Sequence, residues 1–330
     1  MSRIAGGVAC CLLAAGRAAA EAEGRGFAEV RGSSYFGVTG DRWQAVERVR
    51  PTFETSFGER VKLVGTVEAG GAQGRGAPAR FSRASDYLDV DRLYLDAYGE
   101  RADVRAGRQA LHWGSAQFFN PTDPFPEVLL TEPWRPRRGV NAVRAHVALA
   151  ERTDVTGVAA LDDRLANARA AARARTNRFG TDLAVVGAWP GDSDWLAGLD
   201  LRGTFGVGWW IEAALHSAGG RAEEAAVGAD YSFPVFERLV TMVQYQRNAA
   251  GRTGLPGVGR DSLLAAVTAQ ATPELGLSVA VLRNLDDDRG VAIPSASWAA
   301  TDWLEVAAMG SIVLGSTSAG LLTVWTRASF

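Results

Sequence analysis

Ala197-Gly198-Leu199-Asp200-Leu201-Arg202-Gly203-Thr204-Phe205, followed by Trp209-Trp210-Ile211-Glu212-Ala213-Ala214-Leu215-His216, alternates with a period of two. A strand turns successive side chains to opposite faces, so one face of this pair is apolar and the other carries Asp200, Arg202, Glu212 and His216. The pattern recurs. Val227, Ala229, Tyr231 and Phe233 oppose Gly228, Asp230 and Ser232, and Leu239, Thr241, Val243 and Tyr245 oppose Gln244 and Gln246. These runs approach the ~9–11 residues that a tilted strand needs to cross a bilayer, and exceed the ~5–6 usual in soluble sheets.

The rest of the chain agrees with lipid outside and water inside. Its 330 residues are 47% hydrophobic and 22% charged, with a formal net charge of -2. That balance excludes collagen, long disorder and a strongly basic nucleic-acid binder. Beyond the amino-terminal leader no apolar run reaches ~18 residues, so a bundle of membrane helices is excluded as well. A closed β-barrel remains, because its alternating strands average to unremarkable hydropathy. Residues 1–20 read as a signal peptide: Arg3, then the apolar stretch Ile4 to Ala15, then Ala18-Ala19-Ala20 at the expected cleavage site. Both cysteines, Cys10 and Cys11, lie within it, and losing Arg3 and Arg17 takes the charge from -2 to -4. Residues 21–330 are then one barrel domain in a bacterial outer membrane.

Aromatic residues gather beside turn residues, with Trp189 and Trp195 around Pro190-Gly191-Asp192 and Trp298 and Trp303 around Thr301-Asp302. Interfacial girdles have this composition. The last residues place Leu322, Val324, Thr326, Ala328 and Phe330 on one face. Such an ending resembles the terminal strand by which outer-membrane barrels are recognised, making Phe330 the expected assembly signal. The alternation yields 17 candidate strands, an odd number that an ordinary bacterial barrel does not have. Counting inward from the two ends gives topologies that collide between residues 150 and 195. The Arg/Ala-rich stretch from Arg164 to Arg175 could be helical, and the expectation is a transmembrane antiparallel barrel of about 16 strands, with about 14 as the alternative.

Residues 87–125 are the richest in candidate lumenal groups. A two-residue turn at Glu100-Arg101 pairs Asp96 with Arg105, Tyr94 with Gly107 and Arg92 with Gln109 on one inward face, leaving Leu93, Leu95, Val104 and Ala106 to lipid. Regular alternation would aim Arg108 at lipid, and a bulge near Gly107 would turn it inward. The run Leu93-Tyr94-Leu95-Asp96-Ala97-Tyr98, with Arg105-Ala106-Gly107-Arg108-Gln109, His112-Trp113-Gly114 and Phe119-Asn120-Pro121-Thr122-Asp123-Pro124-Phe125, resembles alginate-export-type porins and related outer-membrane barrels. The resemblance spans about 40 residues and implies a barrel channel; in the alginate type it further implies an arginine-lined lumen for an anionic polysaccharide.

The connection from Gly114 to Gly139 exceeds the length usual for a structureless loop. Folded inward, it would bring Arg135, Arg137 and Arg138 to a constriction, with Arg144 and His146 on the next inward strand face and Arg202 on another. Asp200, Glu212 and Asp230 offset them. Left outside, the same arginines would meet lipopolysaccharide phosphates. Enzymatic chemistry is not expected. Adjacent His216 and Ser217 point to opposite faces, and Asp286-Asp287-Asp288 reads as a solvated run. No cofactor, metal or nucleic acid is expected. The function read from the sequence is an outer-membrane channel, with export of an anionic exopolysaccharide as the leading reading; the alternatives are a general small-solute porin and a non-conducting structural barrel of an envelope assembly. Expected partners are outer-membrane lipid and lipopolysaccharide, the barrel-assembly machinery and, for export, periplasmic polysaccharide-export proteins.

Overall fold

The computed structural model describes residues 23–37, 42–75, 87–117, 119–125, 137–161, 168–191, 194–217, 222–249, 258–287, 289–315 and 319–330. Residues 1–20, where the signal peptide is expected, lie outside them. Eighteen strands follow in chain order: β1 Glu23–Phe36, β2 Arg42–Phe57, β3 Val61–Arg75, β4 Tyr87–Tyr98, β5 Ala102–Gln109, β6 Val140–Ala150, β7 Thr153–Leu161, β8 Ala168–Arg178 and β9 Thr181–Gly191. Then come β10 Asp194–Phe205, β11 Val207–His216, β12 Ala222–Phe233, β13 Arg238–Asn248, β14 Asp261–Gln270, β15 Leu275–Asn284, β16 Gly290–Ala299, β17 Leu304–Leu314 and β18 Gly320–Ser329. Each pairs antiparallel with its neighbours in sequence, and β1 pairs with β18 to close the barrel. Among the described residues no helix is long and apolar enough to cross a membrane. The elements able to cross are the strands, whose backbone groups pair with the strands on either side.

The barrel has 18 strands, not about 16 or 14. The candidates fell one short because β8 was missed: Ala168-Arg169-Ala170-Ala171-Ala172-Arg173-Ala174-Arg175 is alanine-rich, and alanine favours helix and is depleted in strands. Its pairing with β7 and β9 nonetheless alternates, setting Ala172 and Ala174 outward beside Gly187 and Val185 while Arg173 and Arg175 face inward. Adding this strand lets both end-counts hold at once. Short turns between β2 and β3, β4 and β5, and so on to β16 and β17 share the end at which β1 begins and β18 ends, while the longest connections, such as those after β3, β5 and β13, leave from the other.

Burial separates the two faces. Leu93, Leu95, Val143, Val185, Ile211 and Val243 are among the exposed outer residues, and Trp210, Glu212 and Gln244 among the fully buried inner ones. Phe57, Phe179, Phe205 and Phe236 are exposed at the short-turn end, and Phe36, Trp43, Trp189 and Trp195 at the other, which gives two aromatic girdles. Phe330 closes the seam: its N–H donates to Gly26 O at 3.0 Å and its carbonyl accepts from Gly26 N–H at 2.7 Å.

Candidate lumenal site

The chain between β5 and β6 does not stay outside. Leu111, Trp113 and Phe125 pack with Ala142 of β6, Val158 of β7 and Val186 of β9. Phe119 packs with Leu264, Leu282 and Val291 of β14 to β16. Residues 110–117 and 119–125 thus reach from their own strands to walls six or more strands away and cross the lumen. Small inward residues make the room: Ala142, Ala160, Ala171, Ala188 and Ala214 line the wall against which Trp113 and Phe125 sit. Burying such aromatic side chains stabilises by about 1.5–3 kcal/mol each.

Polar groups fix the position that the apolar ones allow. Glu212 of β11 accepts hydrogen bonds from the Ala116 N–H, the Thr122 N–H at 3.2 Å and Thr122 Oγ1 at 2.9 Å. Gln244 Oε1 of β13 accepts from the Gln117 N–H at 2.8 Å and from Trp210 Nε1 at 2.9 Å. Gly114 stands at φ 90, left-handed backbone that favours glycine, with the Glu212 carboxylate where a Cβ would point. Gly198 of β10 leaves space for the Thr122 methyl in the same way. At the segment's base Asp123 takes Arg137 Nη1 at 2.6 Å and His112 Nδ1 at 3.2 Å.

The wall formed by β18, β1, β2, β3 and β4 carries a chain of alternating charge. Arg327 Nη2 lies 2.7 Å from Glu29 Oε2, Glu29 Oε1 lies 2.9 Å from Arg48 Nη2, and Arg48 Nη1 lies 3.6 Å from Glu68. Arg50 then spans Glu68 at 3.8 Å and Asp91 at 2.5 Å, and Arg92 Nε is 3.5 Å from Asp91. The register shift between β3 and β4 falls beside Asp91, which lets consecutive Asp91 and Arg92 both join the chain. Glu29 and Arg48 are 1% and 4% exposed, so these charges are held by each other and not by bulk water.

The predicted hairpin pairs Asp96 with Arg105 and Tyr94 with Gly107 in the expected register. Arg105 grips Asp96 with Nε at 2.5 Å and Nη2 at 2.9 Å, and its guanidinium lies 4.0 Å over the Tyr94 ring. The ladder stops before Arg92 and Gln109, which do not pair. Arg92 donates to the Arg137 carbonyl at 3.3 Å, and the fully buried Gln109 donates to the Ala142 carbonyl at 3.0 Å. No bulge turns Arg108 inward. It runs through unbroken register opposite Leu93 and Asn141, although Gly107 has φ 124.

Among the described residues, Arg137 and Arg138 of the loop are each held by a carboxylate. Arg137 is neutralised by Asp123, Arg138 by Asp89 at 2.9 Å, and Arg135 lies outside the described residues. Arg144 and His146 do face inward on β6, with His146 3.8 Å from Asp103 and 3.7 Å from Asp154. Arg202 is exposed near the short-turn end of β10, opposite Asp182 and Trp210. Ser217 Oγ accepts from the Trp195 N–H, while His216 faces Glu224 at 3.7 Å. In the acidic run Asp286 accepts from the Arg260 and Asp261 N–H groups, Arg289 beside Asp287 holds its carboxyl below the usual range, and Asp288 is outside the described residues. Sequence reasoning missed the gripping role of Glu212 and Gln244 and the charge chain of β1 to β4. Apolar Leu111, Trp113, Phe119 and Phe125 in a nominal loop, facing alanines at inward strand positions, were the available signal.

No protein-family model matches the chain, and no curated protein matches it in sequence. Solved structures match it in fold. Pseudomonas aeruginosa OccK5 (OpdH) superposes with a TM-score of 0.67 at 7% identity, over 94% of this chain and 98% of that one. Pseudomonas aeruginosa OprD gives 0.67 at 10% identity over 94% and 96%. Pseudomonas aeruginosa OccK2 (OpdF), solved in complex with glucuronate, gives 0.65 at 11% identity over 94% and 98%. These likenesses show a fold shared with outer-membrane barrels and lend the alginate-export resemblance no support.

Proposed function

We propose that the chain is an outer-membrane channel of porin-like type that passes small solutes, not an exporter of polysaccharide. The observation that carries this is the segment 110–125, drawn across the lumen and fastened to Glu212 and Gln244 on the far wall. A pinned crossing segment narrows a water-filled barrel while leaving the charged wall of β18 and β1 to β4 beside it. That arrangement selects among small polar solutes by size and charge. A polymer would need the crossing cleared over its whole transit, against apolar contacts at both ends of the segment. The Occ and OprD barrels share the fold, and one of them holds a sugar acid, which supports a small-solute reading here.

The test is planar-bilayer recording of the purified chain in potassium chloride, with liposome uptake of monosaccharides against long uronate oligomers. Discrete conductance with monosaccharide uptake and oligomer exclusion is expected. A sealed barrel would overturn the channel reading, and rapid oligomer passage would restore export. Fractionation of cell envelopes checks the location.

A further inference from the structure

The outer face changes character along the rim from which the longest connections leave. On β1, β2, β9 and β10 the outward residues near this rim are Phe36, Trp43, Trp189 and Trp195. On β12 to β15 they are Glu223, Arg247, Asp261 and Arg283, each among the first or last two residues of its strand. Alternation turns all four outward, since they share parity with the exposed Val227, Val243, Val267 and Val279 of the same strands. Arg247 is directly opposite both Ala225 and Asp261, and Arg283 is opposite Leu263. Glu223 with Arg247, and Asp261 with Arg283, are therefore diagonal neighbours at ~7–8 Å in one row of alternating sign.

The middle of the row is fixed in place. Asp261 accepts from the Tyr245 hydroxyl and from Arg247 Nη1 at 3.3 Å, and its own N–H donates to Asp286 at 3.1 Å. Arginine carries five donors, and the Arg247 side chain stays 55% exposed beside the carboxylate it holds, so its fork remains open to a second acceptor. Toward the membrane the surface sinks. Ala197, Leu199, Ala213, Leu215 and Ala225 line an outer-face cavity of about 380 Å³, and Glu223 and Arg247 complete its lining. The alanines make the hollow, and the larger outward pair Ile211 and Val227 stands one outward step further along β11 and β12. Charge at the rim and an apolar groove on its membrane side thus form one continuous surface. A girdle needs neither, because aromatic residues meet the interface without ion pairs.

We infer that the outer face of β10 to β15 is a binding site for a phosphorylated, acylated sugar lipid of the outer leaflet. Long connections of such barrels face the cell exterior, which sets the row at that leaflet. Arg247 and Arg283 take the phosphates, whose geometry the guanidinium fork matches. Glu223 accepts hydrogen bonds from the sugar hydroxyls, and one acyl chain lies in the alanine groove. A phosphoglyceride offers phosphate and chains but no sugar ring for the carboxylate, so the sugar lipid alone uses all three parts. The site is on the outside of the wall and stands whether or not the barrel conducts.

Native mass spectrometry of the detergent-purified full chain, titrated with bisphosphorylated lipid A against phosphatidylglycerol, tests the site. One lipid A that phosphatidylglycerol does not displace is expected. Its affinity should fall about tenfold or more in R247Q/R283Q, which removes the phosphate contacts. A213F/A225F fills the groove and leaves the row intact, and it should weaken lipid A to a similar degree. E223Q should weaken lipid A and leave phosphatidylglycerol unaffected, while R178Q, exposed at the opposite end of the barrel, should change neither. Resistance of the folded band to unheated detergent gels confirms that each variant is assembled. Equal binding of the two lipids by the wild type, or undiminished lipid A binding in either folded double variant, would overturn the site.

Discussion

Glu212 and Thr122 are joined twice across the lumen, through the Thr122 N–H at 3.2 Å and its Oγ1 at 2.9 Å. The carboxylate is fully buried, so these bonds, with the one from Ala116, are its replacement for water. Glu212→Ala strands those donors, at about 1–3 kcal/mol for each that stays buried. Single-channel recording should show a larger and noisier conductance. A conductance equal to wild type would mean that apolar contacts alone hold the segment.

The charge chain predicts coupled effects. Glu29→Gln leaves Arg48 and Arg327 without the carboxylate they share and should cost about 3–5 kcal/mol, the range for breaking a buried pair. Replacing Glu29 by Leu together with Arg48 by Met should recover a large part of that loss. Urea midpoints of wild type, E29L, R48M and E29L/R48M in a double-mutant cycle read the coupling, and simple additivity would show the two groups to be independent.

Asp96 and Arg105 make a two-toothed contact, so reversing either charge alone should lower stability and alter conductance. The double reversal D96R/R105D should partly restore both. Equal damage in the single and double variants would argue that Tyr94, lying under the guanidinium, requires the arginine on β5.

Strand β8 can be tested by the facing of its alanines. Ala172→Arg puts a cation among outward residues and should cost about 2–4 kcal/mol if the site is near the bilayer midplane. Ala171→Ser, on the inward face, should be far milder. Yield of the heat-resistant folded form in detergent gels compares the two, and a reversed order would mean that the register is off by one.

Deleting Phe330 removes both hydrogen bonds to Gly26 at the seam. Refolding into lipid vesicles should slow, with conductance per assembled barrel unchanged. A normal refolding rate would assign the residue no part in closure.

The period-two pattern made the barrel legible because inward and outward positions meet different solvents, and that contrast is written residue by residue in β10 to β13. The hairpin register was legible as far as Leu93 and Arg108 because one turn sets the pairs that follow it until the ladder ends. Strand β8 was not, since alanine is apolar enough for either face and its helix preference hides the pairing that tertiary context imposes. The path of 110–125 was hidden for another reason: its holders, Glu212 and Gln244, lie about 90 to 127 residues away. The arginines of that region drew attention by charge, yet Asp123 and Asp89 neutralise Arg137 and Arg138 through contacts that no local spacing encodes.

The seam between β1 and β18 joins residues nearly the whole chain apart, as Glu29 and Arg327 show with a separation of 298 positions. Closing so long a loop costs entropy before any contact returns it, and topologies dominated by such pairs fold slowly. Glu29 is also the point where the charge chain crosses the seam, so in an open sheet one of its oxygens would still lack a cation. The same residue that stabilises the finished wall thus penalises every unfinished one, and closure becomes a nearly all-or-none event. A chain missing either end strand should therefore be cleared by proteases rather than persist as a smaller barrel.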